Sequence, residues 1–159
     1  MRILDRLPYD DEPTLRSFHG GMVQVRRHQI IVWVRIKERV FPAALDTGHS
    51  HNFSIPERHL KGWAGVDALT RIGSVEVNRV LLPQYEADVW IHHNGRGTRE
   101  PKGEATLLKM VEGITVVPEG TPGAPRLPLL GLRAITQNGL TLIINGGRRE
   151  VTLKSAGWS

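Results

Sequence analysis

The chain contains no cysteine, which removes disulfides, thiolate nucleophiles and cysteine-ligated zinc without identifying a compartment. No run approaches the ~18 apolar residues of a membrane-spanning helix. Between Met1 and Pro13, where a secretory signal needs an apolar stretch, stand Asp5, Asp10, Asp11 and Glu12. There is no internal repeat at a fixed period, no His-Glu-x-x-His helix and no Gly-x-Ser-x-Gly elbow. These absences leave a soluble cytoplasmic protein with no membrane partner as the default expectation.

What is present fits one domain. A chain of 159 residues can bury roughly 68–70% of its unfolded surface and needs no staples. Seventeen Gly and ten Pro argue for many turns, and so for short strands over long helices. Lys and Arg total 21 against 16 Asp and Glu, a formal charge of +5. A basic domain is one footprint of nucleic-acid binding, but the positive residues are scattered. Arg26, Arg27, Arg35, Lys37, Arg39, Arg148 and Arg149 mostly alternate with apolar neighbours, as solvated strand faces do, and nucleic acid is not the favoured partner.

Residues 1–20 are polar and punctuated by Pro and Gly, and read as an N-terminal arm; residues 21–153 read as the domain and 154–159 as a C-terminal tail. From Met22 the pattern has period two: Val23 and Val25, then Val32, Val34 and Ile36 interleaved with Trp33, Arg35 and Lys37. After a polar turn, Val40 to Leu45 is a second, more apolar strand. Pro56 suits the first turn of a short helix through Leu60, ended by Gly62. Residues 68–91 run in short pieces broken at Gly73-Ser74, Asn78-Arg79 and Pro83-Gln84, and His93 to Gly103 reads as a long exposed loop. Leu107 to Val117 is strand interrupted at Glu112-Gly113, and Pro118 to Pro128 is too rich in Pro for regular structure. Leu132 to Asn138 suits a short helix with Gly139 as its left-handed cap. Asn145-Gly146 signals a hairpin between Leu140–Ile144 and Arg149–Leu153. The class expected is all-β, with one convincing short helix near the C-terminus.

Chemistry concentrates in Ala43-Ala44-Leu45-Asp46-Thr47-Gly48-His49-Ser50. Apolar flanks desolvate the Asp46 carboxylate and make it sensitive to its neighbours. Thr47 brings a hydroxyl able both to donate and to accept, and Gly48 permits a tight turn with close backbone approach. A bare Asp-Thr-Gly is also what an Asp-capped turn looks like. A second segment follows about eighty residues on: Leu129-Leu130-Gly131, then Leu132-Arg133-Ala134-Ile135-Thr136-Gln137-Asn138, Gly139 and Leu140-Thr141-Leu142.

In these two segments the chain resembles the retropepsin family of aspartic proteases, as a bacterial-type relative of the single-domain retroviral enzymes. The first match is the strand, turn and strand from Val32, the Asp-Thr-Gly-x-Ser, and then Phe53 and Ile55. The second is two hydrophobic residues, a Gly, a short helix, a Gly and a closing strand. The resemblance implies a closed β-barrel or sandwich acting as a symmetric homodimer, because the chain carries one Asp-Thr-Gly and the mechanism needs two carboxylates. It implies an endopeptidase acting on a peptide or protein substrate, with no cofactor and no metal.

Carried over residue by residue, Asp46 is the catalytic acid and base. Thr47 is the interlocking hydroxyl, Gly48 the turn residue, Ser50 a substrate-facing position, and Leu129, Leu130 and Gly131 the support behind the loop. His49 stands where the family usually has Ala. It either narrows a specificity pocket, adds a pH dependence near neutrality, or points to solvent. Leu132 and Arg133 depart from the family after Gly131. A substrate-covering hairpin is expected within 68–82, around Gly73, and Arg148 to Leu153 is a candidate to complete the dimer sheet. Two other readings stand beside this one. His49, His51, His92 and His93 offer imidazoles for zinc, although His51 should alternate away from His49 on an extended chain. The same domain also serves as a catalytically inactive dimerisation or peptide-binding module.

Overall fold

Short runs of alternating apolar residues, cut by turn residues, build a mainly β structure in the computed structural model, which describes residues 1–155. The strands and helices in chain order are β1 (Arg2–Pro8), β2 (Thr14–Phe18), β3 (Gly21–Val25), β4 (Ile31–Ile36), β5 (Arg39–Asp46), β6 (Phe53–Pro56), α1 (Glu57–Gly62), β7 (Arg71–Val77), β8 (Val80–Tyr85), β9 (Val89–Asn94), β10 (Pro101–Leu108), β11 (Ile114–Val117), β12 (Leu129–Gly131), α2 (Leu132–Gln137), β13 (Leu140–Asn145) and β14 (Glu150–Ser155).

A nine-stranded mixed sheet in the order β10-β9-β4-β5-β12-β6-β11-β8-β7 dominates. Its parallel pairings are β5 with β12 and β6 with β11. A three-stranded sheet β1-β14-β13 and the hairpin β2-β3 complete the topology. On β4 the period-two pattern buries Val32, Val34 and Ile36. Phe41, Ala43, Phe53, Ile55 and Leu130 join them in the main core with no measurable exposure. Burying each such large side chain contributes about 1.5–3 kcal/mol. No helix among the described residues is long and apolar enough to cross a membrane.

The structure departs from the sequence reading at several places. No closed barrel forms among the described residues: the large sheet ends in open edges at β10 and β7. β10 begins with four exposed residues and a register shift, and β7 exposes Arg71, Ile72, Ser74 and Glu76, so neither edge demands cover. There are two short helices, one following β6 and one following β12. Pro56 ends β6 and sits just outside α1, while Gly139 takes the left-handed conformation, φ 61°, after α2.

Residues 1–20 are not an irregular arm. β1 inserts Ile3, Leu4 and Leu7 into the core beside β14. The strand was hidden because Arg6 is left-handed (φ 50°) and the register shifts on either side of Leu4, which breaks the two-residue period. β14 is therefore interior to its sheet, with β1 on one side and β13 on the other. Arg148 to Leu153 cannot complete a dimer sheet by an edge, because β1 has taken it. Lys154 and Ser155, assigned to a tail, belong to β14; the rest of that tail lies outside the described residues.

The exposed loop expected from His93 is shorter, since β9 continues to Asn94 and His92, His93 and Asn94 are buried. Asn94 carries this burial. Its Oδ1 accepts the Asp5 amide at 2.8 Å and its Nδ2 donates to the carbonyls of Asp5, Gly95 and Thr98. A polar side chain is thereby satisfied by the backbone it organises.

Leu4→Ala should cost about 2–5 kcal/mol, the range for truncating a fully buried leucine, as measured by urea denaturation. A loss below about 0.5 kcal/mol, the level of an ordinary surface change, would mean the first strand is dispensable.

Candidate active site

β5 runs from the core outward, through buried Ala43, Ala44 and Leu45, and ends at half-buried Asp46. The chain turns at once: the Gly48 amide donates to Asp46 Oδ1 at 3.0 Å and the His49 amide to the Asp46 carbonyl at 3.1 Å. A Cβ at residue 48 would sit 3.2 Å from Asp46 Oδ1, so glycine keeps that carboxylate oxygen uncrowded. Thr47 and Ser50 are exposed on the same loop.

Leu129, Leu130 and Gly131 lie directly behind it. β12 slots between the two strands that flank the loop, with Leu129 opposite Ala44, Leu130 opposite Leu45 and Gly131 opposite Asp46 in parallel register. On its other side Leu129 faces Ser54 and Leu130 faces Phe53, antiparallel. Two further bonds clamp the loop: the Gly131 amide to the Asn52 carbonyl at 2.7 Å, and the Leu132 amide to the His49 carbonyl at 2.8 Å. A side chain at residue 131 would collide with the His51 carbonyl and come within 2.6 Å of the His49 carbonyl. Both obstacles are backbone, so only glycine fits.

The other aspartates are differently placed. Asp10 is saturated by Arg16, at 2.8 and 2.7 Å, and by Arg99 at 3.0 Å. Asp5 pairs with Arg2 and Asp11 with Arg149, while Asp67 and Asp88 are exposed. Among the described residues, Asp46 is the half-buried aspartate with no cationic partner.

His49 does not point freely into solvent. Its Nε2 lies 2.8 Å from Ser54 Oγ. Its Cδ2 is so near the empty side of Gly131 that a Cβ there would stand 2.9 Å away. Burial pushes its pKa down, the nearby His51 adds to that, and the Asp46 charge opposes it. Burial, then the Arg133 charge, also lowers that of His51. The two rings lie 5.3 Å apart, so His51 does not turn away from His49 as expected; residues two apart share a face even on an extended chain. His92 and His93 belong elsewhere, on β9. The Nδ1 of His92 donates to the Lys102 carbonyl at 2.7 Å, and the Nε2 of His93 lies 2.7 Å from Thr106 Oγ1. Among the described residues no three His or acidic side chains come together to hold a metal.

A cavity of about 130 Å³ opens beside the loop, lined by His49 and Ser54, Val77, Asn78, Val80 and Leu82, Val117, the 121–125 segment and Leu129. Its outer wall is the tip of the β7–β8 hairpin, where Asn78 and Arg79 both adopt left-handed backbone (φ 49° and 66°). Gly73 is not at that tip. It lies within β7 opposite Gln84, away from the cavity lining. Asn78-Arg79 between Val77 and Val80 was the available signal, because a two-residue hairpin needs positive φ at both central positions and asparagine tolerates it. Ser54 and the 121–125 wall carried no signal, since their role depends on the register of β6 and on a loop without a pattern.

The chain matches no protein-family model and no curated protein, so the site is read from its geometry. Gly131→Ala should cost about 1–3 kcal/mol or more through forced backbone displacement. Gly62→Ala, which meets nothing within 4 Å, should stay within about 0.5 kcal/mol of wild type; equal losses in urea denaturation would remove the clamp from the account.

The lowered pKa values of His49 and His51 also fix a sign. The unfolded chain binds these protons near the ordinary imidazole value of 6.5, while the folded chain resists them. Their contribution to stability is therefore complete above that pH and is lost as the pH falls below it. The urea midpoint should drop between about pH 7.5 and about pH 5, and drop less in His49→Gln; an equal drop in the variant would contradict the assignment.

Proposed function

We propose that this chain is a retropepsin-like aspartic endopeptidase that works as a symmetric homodimer, each subunit supplying Asp46 to one site on the two-fold axis. The observation that carries the reading is Asp46 itself. It is a half-buried carboxylate with no cationic partner among the described residues, at the mouth of a loop clamped on three sides by β5, β12 and β6. A carboxylate with only structural work is usually paired or hydrogen-bonded to saturation, as Asp10 is.

Two such carboxylates brought within a few ångströms share a proton, because both cannot ionise cheaply at that separation. The ionised Asp46 takes a proton from water as its oxygen attacks the peptide carbonyl carbon. The protonated Asp46 of the other subunit hydrogen-bonds the carbonyl oxygen as it gains charge. Collapse of the tetrahedral intermediate breaks the C–N bond, and the proton held by the carboxylates goes to the leaving amine. Gly48 fixes one oxygen of each acid, and Thr47, exposed on the loop, is free to bond across to the second copy.

Assembly needs an edge and an apolar face. β13 has an open edge, with Ile143 and Ile144 exposed at 45% and 51%, and Leu132 at 43% lies beside the catalytic loop. In this reading two β13 edges pair antiparallel about a two-fold axis and cover these exposed residues.

On a peptide library across acidic to neutral pH, Asp46→Asn should lower cleavage by a factor of about 10² to 10⁴ or more. Equal cleavage by wild type and variant would sink the reading; peptide binding without cleavage by either would make the chain a peptide-binding module. Ile144→Lys should shift the protein towards monomer in light scattering and reduce the rate per subunit most at low concentration. An unchanged assembly with full activity would place the interface elsewhere.

A further inference from the structure

Away from Asp46, a cleft of about 400 Å³ opens between β2 and the outer face of the large sheet. It shares no lining residue with the cavity beside His49, and its volume falls within the range of ligand pockets, about 300–1,000 Å³. Leu15, Phe18, Trp33, Val40 and Pro101 give it an apolar body. Five consecutive residues, Leu15 to His19, line one side. Side chains alternate along a strand, so a cleft touching every residue meets β2 along its edge and not on one face.

That edge is open. β2 bonds only to β3, and Phe18 and Gly21 close the hairpin across a two-residue turn. Bonded and non-bonded pairs alternate from there, so Phe18, Arg16 and Thr14 bond inward, while Leu15 and Ser17 direct their amides and carbonyls away from β3. The Leu15 carbonyl receives a long contact from Arg16 Nη1 at 3.4 Å. The Leu15 amide and both Ser17 backbone groups have no backbone partner among the described residues. Open backbone groups beside an apolar cleft are what an added peptide strand uses.

Charge closes one end of the cleft. Arg16 holds both oxygens of Asp10, at 2.8 and 2.7 Å, and Arg99 Nη2 reaches Oδ1 at 3.0 Å. This bridge crosses from the hairpin to the 95–100 loop, and a separate cleft lined by Pro8 and Gly97 also borders Arg16 and Arg99. One carboxylate cannot neutralise two guanidiniums, and Arg16 already takes it bidentately. Arg99 is left in excess: its Nε meets no acceptor. Trp33 Nε1 donates to the Arg99 carbonyl at 3.2 Å and holds that backbone against the cleft. Glu100 also lines the cleft, but it is exposed and forms no ion pair with Arg99 among the described residues.

We propose that this cleft binds the free C-terminus of an extended peptide that ends in a large apolar residue. The peptide backbone adds to the β2 edge, its last side chain lies against Trp33 and Val40, and its carboxylate meets Arg99. A chain end answers all three features at once: a strand, an apolar terminus, and a negative charge where the ion-pair bridge blocks further chain. The proposal is independent of the chemistry at Asp46.

The test uses the full-length Asp46→Asn protein, so that no probe is cleaved. Backbone amide NMR signals of Leu15 and Ser17, and the indole signal of Trp33, are followed as each probe is added. The probes are acetyl-Ala-Ala-Ala-Leu with a free C-terminus, the same peptide amidated, free-ended acetyl-Ala-Ala-Ala-Gly, amidated acetyl-Ala-Ala-Glu-Leu, and inorganic phosphate. The free-ended Leu peptide should shift all three signals at concentrations at least about tenfold below those the amidated Leu and free-ended Gly peptides require. Arg99→Gln should bring the free and amidated Leu peptides to within about twofold of each other. Glu100→Gln leaves the Asp10 bridge in place and removes the opposing charge, so it should tighten the free-ended Leu peptide about threefold, even where Arg99→Gln loosens the hairpin. Signals that no probe moves, or equal titrations by the free and amidated peptides, would overturn the proposal. So would an internal glutamate or phosphate that titrates like the free end, the first meaning an acidic side chain and the second an anion alone.

Discussion

Two backbone hydrogen bonds, from Gly131 to the Asn52 carbonyl and from Leu132 to the His49 carbonyl, hold the Asp46 loop against β12 at a distance that only glycine permits. Through that contact a three-residue strand determines where a carboxylate stands. β12 sits parallel to β5 and antiparallel to β6, so it locks both ends of the loop at once. Asp46 is thereby presented at the rim of a sheet whose interior is close-packed Phe, Ile, Leu and Val. The same approach of Gly131 backs the His49 ring, which in turn lines the neighbouring cavity. Loop geometry and acid placement both descend from one missing Cβ.

Charge distribution separates structural acids from the one proposed to react. Asp10 gathers Arg16 and Arg99 and thereby fastens the β2–β3 hairpin to the 95–100 loop. The formal +5 charge is spread over the protein and supplies several of these ion pairs, but none reaches Asp46 among the described residues. His49 feels the Asp46 charge, but burial outweighs it and holds the imidazole pKa down. Asp46 is instead held only by the Gly48 amide on one oxygen, which leaves the carboxylate without a fixed counter-ion among the described residues.

Much of this was legible in the residues. The β4–β5 hairpin, the Asp-Thr-Gly at its exit, the Leu-Leu-Gly and its short helix, the left-handed Gly139 and the hairpin after Asn145 all follow from local patterns that the structure contains. β1 escaped because a left-handed Arg6 and a bulge spoiled its alternation. The end of β9 escaped because its buried residues are His92, His93 and Asn94, polar groups whose partners, the Lys102 carbonyl, the Thr106 hydroxyl and the Asp5 backbone, lie on other segments. The hairpin expected around Gly73 makes its turn instead at Asn78 and Arg79. The proximity of His49 to Ser54 depends on how the loop coils, which no periodicity encodes.

The central claim, one reaction centre shared by two copies of Asp46, is tested most directly by mixing subunits. Wild type and Asp46→Asn are combined in equal amounts at fixed total concentration, allowed to exchange, and assayed for peptide cleavage. If both acids of a dimer are needed, only dimers with two wild-type subunits work, and activity falls to about one quarter. Activity that falls only to about one half would mean that each subunit carries a complete site of its own, and the shared-acid account would be wrong.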